Sequence, residues 1–238
     1  SIGKFRKIYL DPSLNACVTD IFKNKYVSPR PQTTTLQIPV QGVGEWCHPQ
    51  NTPIIDDTGL RNLVRKNEIT LAGVPFRTPK EGNNIAFASL WDNYPNEQLI
   101  PLDGKASSAY LLMAGTTNHM QSHIDNADII VRYQDGTTTR MPLRNPDNWC
   151  PIEQDYFIDG KAFQAASPRP YRICLSTGDV SRDLGQKLGI KGVYGREIPG
   201  GAAQILRMPL DARKELQSLT VRALSNDVVI GLMAITLQ

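Results

Sequence analysis

The chain has 238 residues, with 26 Lys and Arg against 23 Asp and Glu, 40% hydrophobic residues, 18 Gly and 17 Pro, a globular composition that excludes a charged disordered tail. A formal net charge of +3, with no block of Lys and Arg to concentrate it, argues against a nucleic-acid partner. The longest apolar run, residues 228–235, falls far short of the ~20 residues that a membrane helix needs.

In chain order, Ser1-Ile2-Gly3-Lys4-Phe5-Arg6-Lys7 shows no apolar core followed by a small-residue cleavage site, so no export signal is legible there. Proline cannot donate to a strand ladder, and Ser28-Pro29-Arg30-Pro31 is expected to divide a leading arm or linker, 1–34, from a main body, 35–238. Asp56-Asp57 precede Gly59 to Arg65, whose helical period predicts one or two turns; the two carboxylates suit capping of that helix or, alternatively, a structural Ca2+, and no other cofactor is expected. Asn84 to Ser89 reads as a strand that must end by Pro95.

Alternation at period 2 then predicts strands at Ala127 to Tyr133 and Thr137 to Leu143, joined through Gln134-Asp135-Gly136, where Gly supplies the positive φ of a tight hairpin. A polar, aromatic stretch from Arg144 to Tyr156 is too long for a tight turn. Ser167-Pro168-Arg169-Pro170 reads as another loop, and Ser181 to Leu188 as a short helix with Ser181 as N-cap and Gly189 as stop. Further strands are expected at Ile205 to Leu210, Leu216 to Leu224 and Val228 to Leu237, the last two as a second hairpin across Ser225-Asn226-Asp227. The density of Val228 to Met233 predicts a central strand covered on both faces. Many short strands with Gly and Pro punctuation and little helix define an all-β class, an antiparallel sandwich or jelly roll with one or two short helices.

Two loops carry the candidate ligand chemistry. Leu90-Trp91-Asp92-Asn93-Tyr94-Pro95 sets two aromatic planes beside a carboxylate and an amide, the combination that a sugar's C–H face and hydroxyls require; in the alternative, Trp91 plugs the core and Asp92 and Asn93 make an Asx turn. The second loop offers Asn145 and Trp149, or tucks Trp149 and Tyr156 inward as an Ω-like loop. Asp92, Glu153, Asp155 and Asp159 would serve a glycoside hydrolase only if two of them face each other across a cleft, which linear spacing does not establish, so no catalytic residue is assigned.

Other constellations are weaker. His119 and His123 lack the Glu of an HExxH zinc motif, and a Cys–His nucleophile would have to use Cys47-His48, which as sequence neighbours would point to opposite faces on a strand. Cys17, Cys47, Cys150 and Cys174 form no CxxC; buried thiols and two disulfides, with three possible pairings, both stay open. No Gly-rich phosphate loop is present in the sequence.

Four stretches, Ile55 to Arg61, Asn84 to Pro95, Tyr110 to Asn118 and Asn226 to Ala234, together resemble the C-terminal β-rich region of the domain-of-unknown-function family 4450, over about residues 35 to 238. The resemblance implies an exported gut-bacterial protein, periplasmic, cell-surface or extracellular, whose larger relatives look like six-hairpin glycosidases joined to such a β region. It also implies a galactose-binding-like jelly roll. On that basis the expected role is a non-catalytic, carbohydrate-associated accessory module, its partner a glycan or a neighbouring catalytic domain of the same polypeptide. The bet for sugar contact is Trp91, Asp92, Asn93, Tyr94, Asn145 and Trp149. A purely structural brace and an autonomous hydrolase are the alternatives.

Overall fold

The computed structural model describes residues 4–23, 54–90, 93–117, 123–155, 168–190, 197–225 and 228–238. Among these residues the strands are β1 (Arg6–Lys7), β2 (Glu68–Leu71), β3 (Val74–Arg77), β4 (Ala86–Ser89), β5 (Glu97–Pro101), β6 (Ser108–Gly115), β7 (Asp125–Tyr133), β8 (Thr138–Arg144), β9 (Tyr171–Cys174), β10 (Val180–Ser181), β11 (Ala202–Pro209), β12 (Leu216–Ala223) and β13 (Val229–Leu237). The helices are short, α1 (Thr58–Leu63) and α2 (Leu184–Lys187), and no described helix is long and apolar enough to cross a membrane.

The strands form an all-β antiparallel sandwich. The larger sheet runs β1-β13-β6-β11-β9-β10, with β4 also on β13; the smaller runs β5-β12-β7-β8; β2 and β3 form a separate hairpin. Between the two sheets lies one apolar core, to which β6 contributes Leu111 and Met113, β7 Ile129 and Val131, β12 Leu219 and Val221, and β13 Ile230 and Leu232. The opposite face of the larger sheet carries a second core, in which Leu112, Ile205 and Val229 meet Ile85, Phe87, Phe76 and Leu60. The larger sheet is therefore covered on both sides, and every residue of β13 is buried, as its unbroken apolar run requires.

A bulge keeps β13 in phase with both cores. Register slips between Leu232 and Ala234. Val228, Ile230 and Leu232 face the smaller sheet, and after the extra residue Ile235 and Leu237 face it again, whereas Val229, Met233 and Ala234 join the other core. Without the inserted residue the alternation would turn Ile235 and Leu237 away from that layer.

The Asp-Gly hairpin forms between β7 and β8. Gly136 takes φ +85°, Tyr133 N donates to Thr137 O at 2.9 Å, and the Asp135 carboxylate accepts from Thr137 N at 2.9 Å. The second expected hairpin does not: β12 lies between β5 and β7 in the smaller sheet, and β13 lies beside β6 in the larger one. Alternation marks a strand but not its partner. β12 exposes Gln217 and Arg222 on one side and suits a sheet with one wet face, while β13 has no polar side to expose and belongs in the sheet covered twice.

The leading segment is part of the body over residues 4–23, contrary to a separate arm. Arg6 and Lys7 pair with Leu237 and Thr236, Ala16 bridges to Ile85, and Val18, Ile21 and Phe22 are buried in the outer core. The cap of α2 also shifts by two residues: Asp183 Oδ1 accepts from Gln186 N at 3.0 Å, and Ser181 Oγ instead accepts from Asp183 N.

Candidate functional site

The loop after β8 is tied to the sheet from within. Asn148 Oδ1 accepts from Arg144 N at 2.8 Å, and its Nδ2 donates to Pro142 O at 2.9 Å, closing the first turn. The Gln204 side chain then donates to Asn148 O at 2.9 Å and accepts from Cys150 N at 3.0 Å. Beyond it the buried Arg172 guanidinium donates to Pro151 O and Ala202 O, at 3.0 and 3.1 Å. This pinning draws Trp149 inward: its side chain is fully buried in the inter-sheet core, and Nε1 donates to Thr116 O at 2.8 Å. A Cβ on Gly115 would come within 2.9 Å of that indole. Trp149 is thus a core residue and not a sugar platform, because an indole with its one donor satisfied gains more from burial than from the rim.

Asn145 is also withdrawn from the rim. It is buried, its side-chain oxygen accepts from Asn126 Nδ2 at 2.9 Å, and its carbonyl accepts from His123 N at 2.7 Å. In the other loop, Trp91 and Asp92 lie outside the described residues. Asn93 is exposed, and Tyr94 packs on Phe87 with ring centroids 5.1 Å apart, against the outer core. Trp149 and Tyr94 therefore sit on opposite faces of the larger sheet and share no cleft.

The remaining candidates divide by environment. Glu153 and Asp155 are buried; Asp155 Oδ2 accepts from Gly185 N at 3.0 Å, and its carboxylate lies 3.9 Å from Arg172. Asp159 is outside the described residues. Asp56 Oδ1 accepts from Thr58 N at 3.0 Å, while Asp57 Oδ2 accepts from Arg61 Nε and Asn84 Nδ2, each at 2.9 Å, so these carboxylates are engaged in starting α1 and fastening it to the β4 approach. Among the described residues no three His, Cys, Asp or Glu side chains converge as a metal site. His123 braces Asp147 at 3.4 Å, and His119 lies outside the described residues. Cys17, Cys150 and Cys174 are free thiols; burial pushes the Cys150 thiol up to about 12.

A different feature offers a concave surface. β9 pairs with β11 only over Ala202–Ile205, whereas β6 follows β11 on to Pro209. Where β9 gives out, a cleft of about 530 Å3 opens across the edge of the larger sheet, a size suited to a small ligand. Its walls include Tyr110 from β6, Tyr171 at the start of β9, Arg207 from β11, Arg182 beside α2, and Arg169 between Pro168 and Pro170. Asp147 and Asn148, from the loop that the sequence singled out, complete one side. Tyr110 stands directly opposite Arg207 in the ladder, and the Arg182 guanidinium lies 4.4 Å from the centre of the Tyr171 ring. Arg169 reaches Asp183 at 3.5 Å.

The cleft thus presents aromatic faces, guanidinium donors and one amide. Its single described carboxylate, Asp147, has no second one opposite it among the described lining residues, so the two-carboxylate arrangement of glycoside hydrolysis is not assembled there. Sequence reasoning passed over Arg169, Tyr171 and Arg182 because the Pro-rich patch reads as a plain loop. The legible signal was a basic and aromatic cluster within a short span, which Arg207 joins only through strand pairing. No protein-family model matches the chain, and no curated protein matches its sequence.

Proposed function

We propose that this chain is a non-catalytic, carbohydrate-associated β-sandwich module that contacts glycan at the cleft on the open edge of β11. The observation that carries the reading is the juxtaposition of Tyr110 and Tyr171 with guanidinium, amide and carboxylate groups in one concavity of about 530 Å3. Sugars present apolar C–H faces beside hydroxyls, and stacking surfaces with a few oriented donors and acceptors match both. A galactose-binding-like sandwich, export and attachment to a glycan-degrading polypeptide of the family 4450 type belong to the same proposal, on the resemblance of Asn84 to Pro95 and Tyr110 to Asn118. Asp92 and Asn93, with Trp91, remain its second candidate contact; Trp149 and Asn145 no longer belong to it.

Affinity of such a site is expected between about millimolar and micromolar, roughly 4 to 8 kcal/mol. Calorimetric titration with a broad panel of pectic, host-derived and neutral oligosaccharides tests it. Tyr171→Ala is expected to weaken the response about tenfold or more. Absence of binding by the parent chain across the panel overturns the proposal.

A further inference from the structure

Cationic side chains outnumber acids in the lining of this cleft. Three arginines, Arg169, Arg182 and Arg207, face one carboxylate, Asp147, which His123 already engages. Arg169 shares Asp183, but neither Arg182 nor Arg207 has a carboxylate within 4.0 Å among the described residues, and Arg182 is held instead on the Tyr171 ring. Elsewhere guanidinium groups meet acids, as Arg77 meets Asp11, Arg140 meets Asp128, Arg213 meets Asp211 and Arg222 meets Glu97, or meet a backbone carbonyl, as Arg132 does.

Like charges gathered along a concave wall focus a positive potential there, and an arriving anion relieves their mutual repulsion. Guanidinium donors lie in a plane and match the paired oxygens of a carboxylate or sulfate, a fit that a lysine does not offer. Tyr171 stays 37% exposed beside them, so a ring and its acidic substituent can be met together.

We propose that the cleft selects anionic saccharides, with Arg182 and Arg207 holding a carboxylate or sulfate while Tyr171 meets the sugar ring; the inference rests on the saccharide reading above. Strand pairing of β6 with β11 sets the Arg207 backbone beside the cleft, and the Arg182 guanidinium is held by its stack on Tyr171, so at least one donor is placed before the anion arrives.

The test is calorimetric titration of the full 238-residue chain with four probes: an oligogalacturonate, the same oligomer fully methyl-esterified, a chondroitin sulfate oligosaccharide and a neutral cello-oligosaccharide. The expected result is binding of one or both acidic probes at least about tenfold tighter than of the ester and the neutral oligomer, weakening as salt is raised. Preference for the galacturonate assigns the anion as carboxylate, and preference for the chondroitin sulfate assigns it as sulfate. Arg207→Gln and Arg182→Gln should each remove about tenfold of that preference, while Arg222→Gln, the same charge change on the smaller sheet, should not. Equal binding of acid, ester and neutral probes overturns the anion inference and leaves the saccharide reading standing. An equal loss in Arg222→Gln overturns it as well, since diffuse charge would then suffice. Binding of none of the four, with none elsewhere in the wider panel, overturns the saccharide reading and this inference with it.

Discussion

Replacing Trp149 separates a core residue from a ligand platform. Its side chain is fully buried among residues of both sheets, with Nε1 bonded to Thr116 O at 2.8 Å. Truncation to Ala removes a large apolar volume that the surrounding β6, β7 and β13 side chains cannot refill, at a cost of about 3 to 5 kcal/mol. For a chain of this length that corresponds to a fall of roughly 6 to 20 °C in Tm. Trp149→Phe keeps most of the volume but withdraws the donor from a buried carbonyl, costing about 1 to 3 kcal/mol. Urea unfolding followed by circular dichroism measures both, with an unchanged m-value confirming that the folded state is retained. Of the tryptophans at 46, 91 and 149, loss of Trp149 should also remove a blue-shifted component of the emission. The reasoning fails if Trp149→Phe shifts stability by less than about 0.5 kcal/mol and at the same time abolishes oligosaccharide binding, for the indole would then face a ligand.

Gly115→Ala should be at least as disruptive, because a Cβ there would meet Val229 O at 2.2 Å and Trp149 at 2.9 Å; a loss of about 3 kcal/mol or more, or failure to accumulate folded protein, is expected in thermal unfolding. The Cys150 thiol, raised to about 12 by burial, should resist a thiol reagent at pH 8 in the folded chain and react once urea unfolds it. The same shift has a sign for stability: the unfolded thiol ionises first, so stability from this group is intact below about pH 9 and declines by up to about 1.4 kcal/mol per pH unit as pH rises towards 12. The Thr137 hydroxyl and amide, then Lys214, hold the Asp135 carboxylate down at about 2. Its turn contacts are therefore complete above the ordinary carboxylate range and lost only as pH falls through about 2, and Thr137→Val should move the midpoint upward in an NMR titration. A midpoint unaltered by that change would contradict the assigned cause.

What was legible in the residues and what was not follow a physical division. The β7–β8 hairpin was readable because its determinants, two alternating runs and Gly136 at positive φ, are all local. The twice-covered strand was readable because Val228 to Met233 leaves no residue for water to solvate. The β12–β13 hairpin was misread because two strands close in sequence also satisfy their alternation in different sheets, and the choice depends on which face of each must be dry. The loop from Arg144 to Tyr156 carried the composition of a binding loop, yet Gln204 and Arg172, distant in sequence, tie its backbone to the sheet and turn Trp149 inward.

The sequence by itself determined the β class, the positions of β4, β7, β8, β12 and β13 and part of β11, one hairpin and the short helices, since backbone preference and apolar period act over a few residues. Only the tertiary structure decided strand partners, the burial of Trp149 and Asn145, and the gathering of Tyr110, Arg169, Tyr171, Arg182 and Arg207 around one cleft. Those outcomes come from long-range pairing: β9 accompanies β11 only as far as Ile205 while β6 accompanies it to Pro209, and no local pattern records where a neighbouring strand will end.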